Sequence, residues 1–239
     1  MRKDHFVVFD TETTRNGKVA DFGAVVVDRK GTILTSCSAL IDGVYTDRNN
    51  EPLFHGEGMG ELWGKARLPE RYAEYDAMLE SGSRMLARPI SITRWLDKVQ
   101  ATYNPYLTAY NLAFDLDKCK KTGIDLTMFG ANKFCLWHSS VARWGKTKAY
   151  RQFILDNHAF NAPTKKGNAS YKTNAEVMAR FVLNQPELAD EPHTAYEDVV
   201  FYELPILLKL VKGYNKKNWL NPPGYSWHDY QLKDAYRAI

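Results

Sequence analysis

The stretch His5–Thr14, HFVVFDTETT, decides the fold expected for this chain. Its apolar run Phe6–Phe9 is bounded by polar residues, which is typical of a buried strand. Side chains alternate along a strand, so Asp10 and Glu12 project from the same face. Two such carboxylates repel each other unless positive charge lies between them. A pair of divalent cations would supply that charge. A solvated strand end is the simpler alternative for an isolated D-x-E motif.

The composition is that of an ordinary globular protein, and 239 residues can bury a substantial core. We expect one domain over residues 1–212, with an insertion at 42–88, followed by a C-terminal tail at 213–239 whose role the sequence does not assign. The net charge of +4 permits a polyanionic substrate but does not by itself predict one.

The apolar runs of the chain are too short to span a bilayer, and the N-terminus lacks the pattern of a signal peptide. The cysteines are three in number and scattered, which favours buried thiols in a reducing compartment over a zinc site or a disulfide framework. We therefore expect a cytoplasmic protein. The cysteines concerned are Cys37, Cys119 and Cys135.

Short connections link the first strand to two more, which predicts an antiparallel three-stranded meander. Further strands then alternate with helices, and this order predicts an α/β domain in which helices flank a mixed sheet. The expected elements are strands at Ala20–Asp28, Thr32–Ile41, Tyr106–Tyr110 and Lys133–Trp137, with helices from Pro89, from near Ala113 to Gly123, within Ser139–His158, and after the capping boxes Thr173–Glu176 and Thr194–Glu197.

The insertion Asp42–Arg88 is rich in glycine and aromatic residues, and only Arg67–Glu80 within it has a helical pattern. Segments of this length inside a domain are usually lids, binding loops or small subdomains. A surface insertion without a functional role fits the sequence equally well.

Two later motifs supply further acids. Asn111 and Asp115 form an N-x-x-x-D motif just beyond a predicted strand end, where sites gather in α/β sheets. His193 and Asp198 form an H-x-x-x-x-D motif at the start of the last capped helix, whose capping box accounts for Glu197. Taken singly, Asp115 fits a helix-start acid and His193 an ordinary surface histidine.

Taken in order, the three motifs resemble the DEDD exonuclease superfamily in its histidine-containing branch (DEDDh), which has a ribonuclease-H-like fold. The resemblance covers Phe6 to about Val211. It implies that Asp10, Glu12, Asp115 and Asp198 hold two divalent cations, Mg²⁺ or Mn²⁺, and that His193 is the general base. It also implies substrate contacts by Thr13, Thr14 and Asn111; strand-end polar residues are an equally good description of the two threonines.

The resemblance implies a 3′-to-5′ exonuclease that releases nucleoside 5′-monophosphates from single-stranded 3′ ends. A catalytically silent module that binds nucleic acid or protein is one alternative, and an endonuclease is another. The sequence leaves open the choice between DNA and RNA, the preference for single or double strands, the biological pathway and the oligomeric state. A homodimer with contacts made by the insertion and the tail is one option.

Overall fold

A computed structural model describes residues 4–54, 61–162, 169–223 and 231–232, with backbone only for 61–68 and 231–232. Its main feature is a six-stranded sheet with the order β4-β3-β2-β1-β5-β6. The strands are β1 (His5–Thr13), β2 (Val19–Asp28), β3 (Ile33–Ile41), β4 (Met85–Ala87), β5 (Tyr106–Ala109) and β6 (Lys133–Cys135).

The first strand lies in the middle of this sheet. It pairs with β2 in antiparallel fashion along its whole length, and with β5 in parallel only over Phe6–Val8. The end of β1 therefore extends beyond β5 and leaves a crevice there, at the carboxyl end of both strands. The β1–β2–β3 meander is confirmed, and the mixed sheet flanked by helices is the predicted α/β fold, consistent with a ribonuclease-H-like arrangement.

Helices pack on both faces of the sheet. They are α1 (Glu61–Ser81), α2 (Pro89–Tyr103), α3 (Leu112–Thr122), α4 (Leu136–Ser140), α5 (Lys148–Asp156), α6 (Ala175–Leu183), α7 (Ala195–Asp198), α8 (Leu204–Gly213) and α9 (Lys216–Leu220), with a 3-10 turn at Thr127–Phe129, π-helical turns at Val141–Gly145 and Val199–Glu203, and a two-stranded ribbon of β7 (Ala169–Ser170) and β8 (Gln231–Leu232). Among the described residues, no helix combines the length and the apolar character needed to cross a membrane.

The alternation of β1 divides the core into two halves. Phe6 and Val8 pack with residues of α6 and α8, whereas Val7 and Phe9 pack with residues of α2 and α3. All four side chains are fully buried. The strand therefore has no solvent face before it reaches Asp10.

The start of the C-terminal tail belongs to the first of these core halves. Trp219 in α9 is fully buried and contacts Phe6, Tyr106 and Phe134 at ring-centroid distances of 5.6, 5.5 and 4.8 Å. The part of the predicted tail up to residue 223 is thus packed against the domain, and residues 224–230 and 233–239 lie outside the described residues.

One local prediction near the C-terminus is wrong. The capping boxes do not form: α6 begins after Asn174 rather than Thr173, and α7 has no side-chain cap from Thr194. The sequence also predicts that Pro205, which has no N–H to donate, kinks or breaks the last helix, and a π-helical turn does separate α7 from α8 just before it. The short edge strand β4 was not predicted, since three residues carry too little pattern.

Candidate metal centre

The crevice at the end of β1 collects the acids of all three motifs. Asp10 and Glu12 continue the face of Phe6 and Val8 because side chains alternate along the strand. Asp198 is the last residue of α7, which packs on this strand and on β2. One ligand atom from each of Glu12, Asp198 and His193 lies within 4.8 Å of the others.

A close approach of backbones brings α7 to the sheet. Gly23 in β2 pairs with Asp10 across the ladder and lies directly under Ala195. A Cβ at Gly23 would come within 2.3 Å of the Ala195 carbonyl carbon and the Tyr196 nitrogen, so this position requires glycine.

Buried charges also fix α7. Asp21 is fully buried and accepts the N–H of Ala195 at 3.0 Å, while Arg84 donates to the same carboxylate at 3.0 Å. Arg84 bonds Glu197 as well. The Glu197 carboxylate therefore forms an ion pair with Arg84 instead of the predicted capping box. Through these contacts, the loop that carries His193 is held to β2 and to the end of the insertion.

Asp115 reaches the same crevice from the other face of the sheet. It lies in the first turn of α3 and is 1% exposed. The hydroxyl of Thr11, between the two acids of β1, donates to its Oδ1 at 2.7 Å. Burial and then the negative charge of Asp10 raise the pKa of Asp115.

Burial and mutual repulsion hold the pKa values of these acids far above their ordinary range. Burial raises the pKa of Asp10 to about 7 and that of Asp198 to about 9, with the Asp10 charge adding to the second shift. Burial, then Asp10 and Asp198, raise the pKa of Glu12. Without a cation, it is therefore unfavourable for all of these groups to be ionised together near neutral pH.

Two acids outside the three motifs join the group. Glu203, at the end of the π-helical turn, is 2% exposed; its Oε1 accepts the Tyr110 N–H at 3.2 Å, and its Oε2 is buried without a partner. Burial and the charges of Asp10 and Asp115 raise its pKa. Burial and Asp10 also raise the pKa of Glu191, to about 8.

This donor set fits hard divalent cations. It consists of carboxylate oxygens, which Mg²⁺ and Mn²⁺ prefer, and Asp198 Oδ1 is buried without a hydrogen-bond partner. A buried, unpartnered carboxylate oxygen is unfavourable unless a cation or a proton compensates it. Glu12, Asp198 and His193 form the group that could hold a metal ion, and ligation by Asp10 and Asp115, which the resemblance implies, stays a prediction.

His193 lies at the open side of the group. It is an exposed residue with a positive φ of 55°, a conformation that few non-glycine residues adopt and that is often found at functional sites. Desolvation and then the charge of Arg71 lower its pKa. Its ring is therefore neutral at pH 7, which is the state required of a proton acceptor.

A cavity of about 250 Å³ opens next to these residues. Glu12 and His193 line it on the side of the acids, and Phe54 and Phe114 contribute apolar walls that are 39% and 43% exposed. The remaining lining residues are Thr11, Thr13, Leu53, Arg71 and Tyr75. A cavity of this kind can receive a small planar group beside the acids.

The predicted substrate contacts differ in their positions. Thr13 lines the cavity, but Thr14 does not; its hydroxyl donates to Glu51 at 2.9 Å in the turn after β1, which gives it a structural role instead. Asn111 is exposed and caps α3 in the left-handed conformation, with φ 76°, and its substrate contact stays a prediction.

The sequence does not single out the acids Glu203 and Glu191 or the cavity residues Arg71 and Phe54. Glu203 reaches the crevice only because the π-helical turn changes the helical phase after Asp198. Arg71 and Phe54 belong to the insertion, where no periodic pattern indicates which side chains face the site. Comparison with known proteins adds no relative: no family model matches the chain, and no curated protein or solved structure matches it.

Proposed function

We propose that this protein is a metal-dependent 3′-to-5′ exonuclease that hydrolyses nucleic-acid phosphodiester bonds and releases nucleoside 5′-monophosphates. The observation that carries the proposal is the convergence of Asp10, Glu12, Asp115 and Asp198, from three separate elements, beside a neutral histidine. Four clustered carboxylates are unfavourable in a fold that only binds a partner, whereas a phosphodiesterase requires them to hold cations.

In the reaction, water attacks the phosphorus of the terminal linkage and the bond to the 3′-oxygen of the preceding nucleotide breaks. His193 takes the proton of the attacking water at a ring nitrogen, and the departing 3′-oxygen is protonated by solvent. Divalent cations held by the four acids would lower the pKa of the water and neutralise charge on the phosphate and the leaving oxygen. The cavity receives the terminal nucleotide, with its base against the apolar walls.

The test uses single strands labelled at either end, incubated with Mg²⁺ and resolved at nucleotide length. We expect the 3′ nucleotide to be released first, as a 5′-monophosphate. Asp10→Ala should abolish cleavage, and His193→Ala should slow it severely while magnesium uptake, measured by calorimetry, persists. Cleavage that survives in Asp10→Ala would contradict the proposal.

Two further measurements separate the proposal from its alternatives. A circular single strand should stay intact, whereas an endonuclease would open it. A module that only binds nucleic acid would cleave none of the substrates and would show no carboxylate-dependent magnesium uptake. A panel of DNA and RNA, single- and double-stranded, identifies the preferred substrate.

A further inference from the structure

The insertion places a cation at the wall of a site that consists otherwise of acids. Within the described parts of the chain, Arg71 is the one lysine or arginine that lines the cavity, together with Glu12 and His193. Burial and the neighbouring acids raise the pKa values of Glu12 and Asp198, and the charge of Arg71 opposes that rise. Helix α1, which carries Arg71, is thus part of the site rather than a remote surface insertion.

The Arg71 side chain is held in position before any ligand arrives. One terminal nitrogen donates to the Pro192 carbonyl at 2.8 Å, and the other lies 2.9 Å from Glu74 Oε2. The guanidinium also lies 5.7 Å from the ring centre of Tyr75, and the side chain is only 14% exposed. These two hydrogen bonds use two of the five N–H donors of an arginine.

An arginine at this place is unfavourable for holding cations, because it repels them. It becomes favourable when an anion lies between the arginine and the cations. A phosphodiester is such an anion, and the guanidinium geometry matches two phosphate oxygens at once.

We infer that Arg71 is a substrate-binding residue that contacts the phosphate under attack, so that the insertion completes the active site. This inference rests on the proposed function and extends it. The phosphate under attack becomes the 5′-phosphate of the released nucleotide. The affinity of the protein for the nucleoside 5′-monophosphate therefore reports on the contact between Arg71 and that phosphate.

The experiment measures, by calorimetry with Mg²⁺, the binding of adenosine and deoxyadenosine 5′-monophosphates and of the matching nucleosides. Arg71→Gln keeps an amide donor for the Pro192 carbonyl but removes the charge. Arg71→Lys keeps the charge but loses the planar guanidinium that can donate to two phosphate oxygens at once. Removing a charge-assisted hydrogen bond should weaken monophosphate binding by about 10- to 100-fold in Arg71→Gln. The effect in Arg71→Lys should be smaller, and nucleoside binding should stay unchanged in both variants.

Arg48→Gln is the matched control, since Arg48 belongs to the same insertion, pairs with Asp76 and does not line the cavity. It should bind both ligands like the wild type. A role of Arg71 limited to neutralising the acids predicts the opposite pattern, with tighter Mg²⁺ binding and unchanged monophosphate affinity in Arg71→Gln, and would overturn the inference. Loss of nucleoside binding together with monophosphate binding would also overturn it, because that result indicates a collapsed loop.

The two proposals fail in different ways. Wild-type protein that binds the monophosphates through Arg71 but cleaves no strand would contradict the nuclease function alone. Wild-type protein that cleaves strands, with Arg71→Gln equal to it in monophosphate affinity and in the rate of cleavage, would contradict the role of Arg71 alone.

Discussion

Replacing Asp10 by asparagine should stabilise the metal-free protein while greatly weakening its response to magnesium. Burial raises the pKa of Asp10 from 3.8 to about 7. A carboxyl whose pKa is higher in the folded state binds more protons there, so the free energy of unfolding falls as pH rises from about 4 to about 7. The raised pKa of Asp198, about 9, extends that fall to higher pH.

The magnitude follows from the size of the shift. One pKa unit corresponds to about 1.4 kcal/mol, so a shift of roughly three units is on the order of 4 kcal/mol at full ionisation, and coupling among the acids reduces it. We expect Asp10→Asn to gain about 2–4 kcal/mol at pH 8. For a chain of this size that raises the melting temperature by roughly 5–15 °C.

The assay is thermal unfolding in EDTA and in Mg²⁺, from pH 5 to pH 9. In EDTA the wild type should melt at lower temperature as pH rises, and Asp10→Asn should show a shallower fall. Magnesium at about 100 times its dissociation constant should stabilise the wild type by about 2.7 kcal/mol, and the variant much less.

Asp117→Asn is the control, because this acid lies on α3 near Asp115 but is exposed, and Lys121 and then Lys118 lower its pKa. It should leave both melting temperatures unchanged. A wild-type melting temperature in EDTA that rises between pH 5 and pH 9 would refute the reasoning. Lower stability of Asp10→Asn at pH 8 would refute it equally.

Three more substitutions test how the site is held. Gly23→Ala should push α7 away from β2. Because a displacement of about 1 Å in an active site can lower a rate about 100-fold, the cleavage rate should fall by about that factor. Gly213→Ala is the control, since a Cβ there meets open space, and its cleavage rate should stay unchanged. Arg84→Met should cost about 3–5 kcal/mol in urea unfolding because it leaves Asp21 buried without its cation, and adding Asp21→Leu should restore part of that loss. Trp219→Ala should cost about 3–5 kcal/mol in the same assay, and a smaller loss would show that α9 docks only loosely.

Periodicity predicted the elements with long apolar patterns and missed those that depend on distant contacts. The run before Asp10 and the stripe of α2 have enough residues to define a strand and a helix, and both are confirmed. Glu197 shows the limit: the local pattern predicts a cap, but the ion pair with Arg84, 113 residues away, takes the carboxylate. Such a partner cannot be read from neighbours in the sequence.

The same limit applies to the site. The resemblance carried by the order of the three motifs predicted that their acids converge, and Glu12, Asp198 and His193 do lie together. It did not predict Glu203, whose place depends on a π-helical turn, or Thr14, whose hydroxyl is used by Glu51 of the insertion. Irregular backbone and insertions have no period, so their side chains can be assigned only in three dimensions.

The attachment of the insertion limits how far the chain can be shortened. Leu53 bridges to Thr14 beside the acids, and Arg84 neutralises Asp21 beneath α7. Excising residues 42–88 would leave the Asp21 charge buried without its cation and would remove the bridge that holds the end of the first strand. A shortened variant should therefore keep this segment and be truncated elsewhere in the chain.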